Sequence, residues 1–354
     1  MPETLQIGSR AVGPDQPCWI VAELSANHNG SLARAEDIIR AAADAGADAV
    51  KLQTYTADTM TLDSTRPEFQ ISGGTLWDGR TLYDLYQEAY TPWEWHPRLK
   101  QLAEDLGMIC FSSPFDATAV DFLVNELDVQ VLKLASFEID DLPLLRKMAS
   151  TGLPVIASTG LASLADIDQA VRTWRAASDA PMALLKCTSA YPAPPEDANL
   201  RTIPHLQAAF DVVPGLSDHT LGVAVAVTSV ALGAKVIEKH FTLSRDDPGP
   251  DSAFSLEPHE LRRLVDEVRV AEKALGTVRY GLAPSVKATG THRYRRSLFA
   301  SRAIAAGEAF TPDNVRVVRP SDGLAPKHLD TVLGKRATQP IEMGTPLSWA
   351  LVGR

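Results

Sequence analysis

From residue 19 to residue 275 the chain alternates short apolar runs with amphipathic stretches, always in the same order. Runs of this length rich in Val, Ile and Leu read as strands, and the stretches between them carry apolar residues at helical spacing. The strand candidates are residues 19–23, 49–53, 108–112, 131–134, 154–158, 183–188, 213–217 and 235–240, each followed by a helical stretch. The first helix is punctuated at both ends. Ser31 is placed to cap it, Leu32, Ala35, Ile38, Ile39 and Ala42 form one apolar stripe, and Gly46 closes it. Eight β/α units in about 250 residues fit an α/β chain folded as a (β/α)8 TIM barrel. A doubly wound open sheet is the alternative, but no Gly-rich dinucleotide loop follows the first strand.

A TIM barrel keeps its chemistry at the C-terminal strand ends, on side chains that point inward. Because side chains alternate along a strand, Trp19, Val21 and Glu23 share a face, as do Ala49, Lys51 and Gln53. Lys186 and Thr188 pair likewise, and so do Val236, Glu238 and His240, while Val50, Leu52, Leu185 and Ile237 are expected to face the helices. Two histidines lie at such ends: His219 in Gly215-Leu-Ser-Asp-His-Thr220 and His240 in Val236-Ile-Glu-Lys-His-Phe-Thr242. A lone histidine is usually an ordinary polar residue. Two neutral imidazoles on adjacent strand ends, however, suit a divalent ion and leave positions open for water and substrate. Ser217, Asp218 and Glu238 at the same ends strengthen that reading.

Lys51, Lys133 and Lys186 would reach the barrel mouth from different strands. Buried lysines are costly unless paired, so they imply either an anionic ligand or a structural network with Glu23, Glu138 and Glu238. Ser136, Ser158, Thr188 and Ser217 add hydroxyl donors, and Gly160 and Gly215 would let backbone N–H groups approach a phosphate or carboxylate. Glu23 and Glu138 are the candidate acid/base groups, with burial and neighbouring lysines acting on their pKa values in opposite directions. Tyr191, just past the sixth strand, is a candidate substrate contact, whereas Trp77, Trp93 and Trp95 read as packing or loop anchors.

The formal net charge of −10 argues against a nucleic-acid partner, and no run approaches the length of a membrane span. Cys18, Cys110 and Cys187 are scattered and odd in number, and the N-terminus lacks a secretory h-region, which together suit the cytoplasm. After residue 276 the character changes. Residues 277–292 read as a linker with Gly281, Pro284 and Gly290, and residues 293–354 as a small domain of short strands and turns. A domain of about 60 residues has little room for a core and is expected to pack against something.

Six motifs together resemble the sialic acid synthase family: Ala22-Glu-Leu-Ser-Ala-Asn-His-Asn-Gly30, Lys51-Leu-Gln-Thr-Tyr55, Lys133-Leu-Ala-Ser-Phe-Glu138, Ser158-Thr-Gly160, Gly215-Leu-Ser-Asp-His-Thr220 and Glu238-Lys-His-Phe-Thr242. The tail resembles the family's mainly-β antifreeze-like (SAF) domain. Leu82-Tyr-Asp-Leu-Tyr-Gln-Glu-Ala-Tyr90, Ser112-Ser-Pro-Phe-Asp116, Leu185-Lys-Cys-Thr-Ser-Ala-Tyr-Pro192 and Asp251-Ser-Ala-Phe-Ser255 are most similar to the pseudaminic acid synthase branch. Val286 departs from the pattern, standing where relatives carry an acidic residue.

The resemblance implies condensation of phosphoenolpyruvate with an open-chain diacetamido sugar, 2,4-diacetamido-2,4,6-trideoxy-L-altrose in this branch, with release of phosphate. It implies that His219 and His240 hold a divalent metal, Mn²⁺ first, with Mg²⁺ or Co²⁺ as alternatives. Lys51, Lys133, Ser136, Ser158 and Ser217 would bind phosphoenolpyruvate, and Glu138 would be the acid/base group. Glu23, Gln53, Tyr191 and Asp251 would orient the sugar and bound water. A domain-swapped homodimer is implied as well, with Arg319 reaching the partner's sugar site. Two other activities compete on the same barrel: synthesis of N-acetylneuraminate or legionaminic acid, and a metal-dependent aldolase using free pyruvate.

Overall fold

The computed structural model describes residues 4–72, 74 and 77–353, which divide into two compact units, Met1–Gly276 and Thr277–Arg354. In the first unit a hairpin of β1 (Leu5–Ile7) and β2 (Arg10–Val12) precedes eight parallel strands. These are β3 (Trp19–Glu23), β4 (Ala49–Thr54), β5 (Ile109–Pro114), β6 (Leu132–Leu134), β7 (Val155–Ser158), β8 (Met182–Cys187), β9 (Val213–Asp218) and β10 (Val236–His240). They close in sequence order, with β10 pairing to β3, so the sheet is a barrel without edges. The first helix, Leu32–Ala45, begins where Ser31 accepts the Arg34 N–H and ends at Gly46, whose φ of 88° is open to glycine at no steric cost.

Two layers of core follow from strand alternation. Ile20, Ala22, Val50, Leu52, Leu216 and Ile237 face the helices, whereas Trp19, Val21, Ala49, Phe111, Val131, Ile156, Ala183 and Val213 fill the barrel. Leu5, Ile7 and Val12 of the hairpin join that inner cluster beside the strand starts. The N-terminal end is thereby packed shut with apolar side chains, and polar groups have room only at the C-terminal strand ends.

On β8 the structure reverses the expected phase. Leu185 packs inside the barrel with Ala183, while Leu184 lies in a helix-facing cluster. Cys187, two residues beyond Leu185, therefore takes the inward position and Lys186 does not. Gly215 also has a different use from the one expected. A Cβ there would come within 2.4 Å of Leu185 Cδ2 and 2.6 Å of the Val236 carbonyl oxygen, so glycine makes room for inward packing rather than for a ligand.

The second unit has a core of its own, formed by Leu298, Ala300, Ile304, Phe310, Val315, Val332, Ala337, Ile341, Leu347 and Val352. Its β11 (Ser297–Ala300) and β12 (Val315–Val318) pair antiparallel, and Gly307 and Gly344 turn the chain at positive φ. Residues 277–292, expected as a plain linker, carry a short helix, Pro284–Thr289, and the start of a 3-10 turn, Thr291–Tyr294.

Candidate active site

A continuous polar belt runs along the C-terminal strand ends. Ser25 donates to the Asp251 carboxylate, and Gln53 Nε2 donates to Ser25 Oγ at 3.1 Å and to Glu23 Oε1 at 2.9 Å. Glu23 Oε2 meets Lys51 Nζ at 2.5 Å, and that ammonium lies 3.6 Å from Glu238 Oε1. Ser217 closes the run, its hydroxyl 3.3 Å from Glu238 Oε1. Lys51 is thus ion-paired within the belt, and its Nζ also donates to Ser113 Oγ at 3.3 Å.

Lys133 behaves differently. It is 1% exposed, and among the described residues no carboxylate lies within ion-pair distance. Its Nζ donates to the Leu134 carbonyl at 2.7 Å and to Ser158 Oγ at 2.6 Å. Burial holds its pKa below the ordinary lysine value. A buried ammonium satisfied only by neutral oxygens is expensive, and a bound anion would offset that cost. Ser136 is adjacent in space to this strand end: its Oγ accepts the Gly160 N–H at 3.1 Å. A Cβ on Gly160 would strike Ser189 Oγ and, at 2.8 Å, Ser136 Oγ, so the glycine lets these hydroxyls crowd together.

Three buried acceptors on Glu138, Glu238 and His240 have no hydrogen-bond partner: the two Oε2 atoms and Nδ1. Polar atoms orphaned in this way are uncommon in folded proteins and are open to water, an ion or a ligand. Burial pushes the Glu138 carboxyl up to about 7, with Lys133 opposing, and Glu23 up to about 7, with Lys51 opposing. Burial acts upward on Glu238 too, but Lys51, Lys133 and His219 outweigh it and hold that carboxyl below its usual range.

The histidine rings lie 5.3 Å apart. His219 Nδ1 donates to the Thr188 carbonyl at 2.9 Å, which in a neutral ring leaves the Nε2 lone pair available. Burial, then the charges of His219, Lys51 and Lys239, push the His240 pKa well below its ordinary value, so its ring is neutral. Burial acts downward on His219, but the Cys187 sulfur and the Thr188 carbonyl outweigh it and raise that pKa; in its neutral form the ring joins neutral His240, 5.3 Å away, as a pair of imidazole donors that fits a divalent ion. A separate triad, Glu257, His259 and Glu260, brings three possible ligand atoms within 4.8 Å of one another at the start of the helix Pro258–Leu275. Arg245 already pairs with both of its carboxylates.

Tyr191 stacks 4.3 Å from the His219 ring, and burial raises its hydroxyl pKa. With Glu138, His240, Gln53 and Asp251 it lines a cavity of about 470 Å³. The rest of the wall was not foreseen: Tyr55, Met60, Ile71, Leu82, Leu85 and Tyr86 come from the long segment after β4, and Phe115 and Phe137 from the loops after β5 and β6. Trp77 also lines it, whereas Trp93 anchors a loop by donating to the Tyr55 carbonyl.

Of the expected contacts, Glu23, Lys51, Lys133, Ser136, Ser158, Ser217 and His219 stand at or just past the strand ends without lining this cavity, and Lys186 and Thr188 are drawn away from it. Lys186 Nζ is held by the Cys187 carbonyl at 2.6 Å and Thr188 Oγ1 at 3.2 Å, and the Thr188 hydroxyl donates to the Asp197 carbonyl. The β8 phase explains both, and the Thr188 backbone oxygen serves His219 instead. Arg319 lies just past β12 in the second unit and is exposed.

The NeuB family matches residues 38–280 and the SAF domain residues 295–353. Pseudaminic acid synthase from Campylobacter jejuni is 46% identical over 343 residues, 97% of this chain and 98% of that protein. Pseudaminic acid synthase from Helicobacter pylori is 44% identical over 334 residues, 94% of this chain and 97% of that one. The crystal structure of N-acetylneuraminic acid (sialic acid) synthetase from Leptospira borgpetersenii superposes with a TM-score of 0.72 at 33% identity, covering 83% of this chain and 97% of that chain. Matched through most of the barrel and aligned with its relatives over nearly their whole length, the chain belongs to the NeuB family and is an enzyme, a synthase of nonulosonic acids.

Proposed function

We propose that the enzyme condenses phosphoenolpyruvate and water with 2,4-diacetamido-2,4,6-trideoxy-L-altrose, giving pseudaminic acid and phosphate. The observation that carries this reading is Lys133, a buried ammonium with no carboxylate within ion-pair distance among the described residues, on the same ring of strand ends whose Glu138, Glu238 and His240 carry unpartnered polar atoms. Lys133, Ser136 and Ser158, with Lys51 and Ser217, hold the phosphate and carboxylate of phosphoenolpyruvate. His219 and His240 hold a divalent ion, Mn²⁺ first, with Mg²⁺ or Co²⁺ as alternatives. When bound, that ion supplies Lewis acidity toward the sugar aldehyde.

In the first bond change, C3 of phosphoenolpyruvate forms a C–C bond to the aldehyde carbon, and C2 gains positive character. The aldehyde oxygen becomes a hydroxyl by taking up a proton. Water then adds at C2 and gives a proton to Glu138. The C2–O bond to phosphate breaks, the C2 hydroxyl gives its proton to the departing phosphate, and the keto group forms. Gln53 and Asp251, joined through Ser25, orient the sugar hydroxyls, with Glu23 behind them accepting from Gln53 and Tyr191 on the cavity wall. Holding both reactants in one orientation contributes on the order of 7–11 kcal/mol to such a step.

The apolar wall of Met60, Ile71, Leu82, Leu85 and Phe115 supports an acceptor that carries methyl groups, namely two acetamido methyls and a deoxygenated C6. Mass spectrometry of the product, with phosphoenolpyruvate and a panel of acceptors, tests this. The altrose-derived sugar is expected to exceed N-acetylmannosamine in kcat/KM by about 10²-fold or more, since apolar contacts discriminate by about 1–3 kcal/mol each and an unpaired polar site by more. Equal values for the two would overturn the acceptor while leaving the reaction class standing. Consumption of free pyruvate without phosphate release would instead favour an aldolase.

The family resemblance supports a domain-swapped homodimer in which the second unit caps the partner's barrel and Arg319 reaches the sugar. Arg319→Ala chains mixed with Glu138→Gln chains are then expected to recover part of the activity that each lacks alone. Verified heterodimers with no recovery would show that Arg319 does not act in trans. Three free, buried cysteines support a reducing compartment, the cytoplasm.

A further inference from the structure

On the helix-facing side of β9 and β10, next in sequence to the two histidines, lies a second polar cluster that does not line the cavity. Asp218 and Lys239 are paired across the strands in register and ion-paired at 2.8 Å, each side chain 2% exposed. They continue the outward phase of Leu216 and Ile237, which pack against the helices. Lys239 Nζ also donates to the Thr220 carbonyl at 2.7 Å. Asp218 Oδ1 accepts from Thr220 twice, from its N–H at 2.9 Å and its hydroxyl at 2.8 Å. The residue enclosed by this clamp is His219, and the one following Lys239 is His240.

We propose that Asp218, Lys239 and Thr220 are positioning residues that fix the spacing of the two imidazoles and so set metal affinity. The clamp ties the turn after β9 to the strand that carries His240. The ring of His219 is then aimed by the Thr188 carbonyl and its backbone oxygen is held by the Ala193 N–H. A buried ion pair adds little net stability compared with an apolar pair of similar volume. Its persistence next to the histidines is accounted for by geometry rather than by folding free energy. Groups that orient metal ligands typically change metal affinity about 10–100-fold when removed. This inference rests on the metal reading of His219 and His240.

The test is Mn²⁺ titration of the full-length enzyme by calorimetry, with thermal unfolding of the metal-free protein recorded in parallel. His219→Ala first identifies which binding event belongs to the histidine pair; an unchanged titration in that variant would sink the metal reading itself. Asp218→Asn/Lys239→Met then removes the charged tether, leaves no unpaired buried charge and keeps the Asn amide oxygen for Thr220. It is expected to weaken Mn²⁺ binding at least 10-fold, with the KM for phosphoenolpyruvate unchanged at saturating metal. A folded double variant with wild-type Mn²⁺ affinity overturns the proposal. If that variant does not fold, Thr220→Val decides. It removes one bond of the clamp and is expected to weaken Mn²⁺ several-fold; wild-type affinity there overturns the proposal equally.

Discussion

His219→Ala and His240→Ala are each expected to lower kcat/KM by at least about 10³-fold while the barrel stays folded. A metal acting on a carbonyl stabilises the transition state by several kcal/mol, and each 1.36 kcal/mol is a factor of ten in rate. Both rings sit at strand ends, His240 is neutral, and its Nδ1 has no hydrogen-bond partner among the described residues whose loss would unfold its surroundings. Chelation of the wild-type enzyme should give the same loss, and Mn²⁺ or Co²⁺ should restore it. Residual activity of either variant that persists unchanged in chelator would contradict the assignment. Circular dichroism and the unfolding midpoint distinguish lost chemistry from lost structure.

Glu138→Gln is expected to cost nearly as much for a different reason. A positioned acid/base group contributes about 10²–10⁴-fold, so kcat should fall by about 10³-fold with Mn²⁺ affinity unchanged. Burial places this carboxyl at about 7, above its ordinary value of 4.5. Because it accepts the proton of the added water, it must be ionised, and kcat of the wild type should rise with pH through about 7. The Gln variant should lack that limb. Stability moves the other way. Between 4.5 and 7 the folded state keeps a proton that the unfolded state has released, so stability falls as pH rises across that window. The Gln variant, which cannot ionise at this position, should show a shallower decline, the remainder coming from Glu23, which burial also raises to about 7. A variant with an unchanged kcat–pH profile would remove Glu138 from the proton path.

The barrel was legible because its strands alternate cleanly. On β4 and β10, Lys51, Gln53, Glu238 and His240 fall two apart between apolar neighbours, so their phase and side follow directly. On β8 the run Met182-Ala-Leu-Leu185 is apolar on both faces, so no periodic signal set the phase. The one polar side chain near its end, Lys186, suggested the wrong one. A glycine opposite, Gly215, was the available clue, because the space it leaves is filled by Leu185.

The cavity wall escaped the sequence for a different reason. Met60, Ile71, Leu82 and Leu85 lie on a long segment of short helices and loops with no repeating period, where an apolar residue reads as packing. The hairpin that floors the barrel was missed because its strands have three residues each, too short for a periodic signal. The Asp218–Lys239 pair was visible only as two charged residues at strand ends. That they face the helices and meet each other follows from the register of β9 on β10.

In the proposed reaction phosphoenolpyruvate gives up phosphate by cleavage of its C2–O bond. The most direct measurement uses phosphoenolpyruvate carrying ¹⁸O in the bridging position, the altrose-derived acceptor and mass spectrometry of both products. Cleavage at C2–O sends the label into inorganic phosphate and leaves the nonulosonic acid with oxygen from water at C2. Label retained in the sugar product, or a product formed with no phosphate released, would contradict the account.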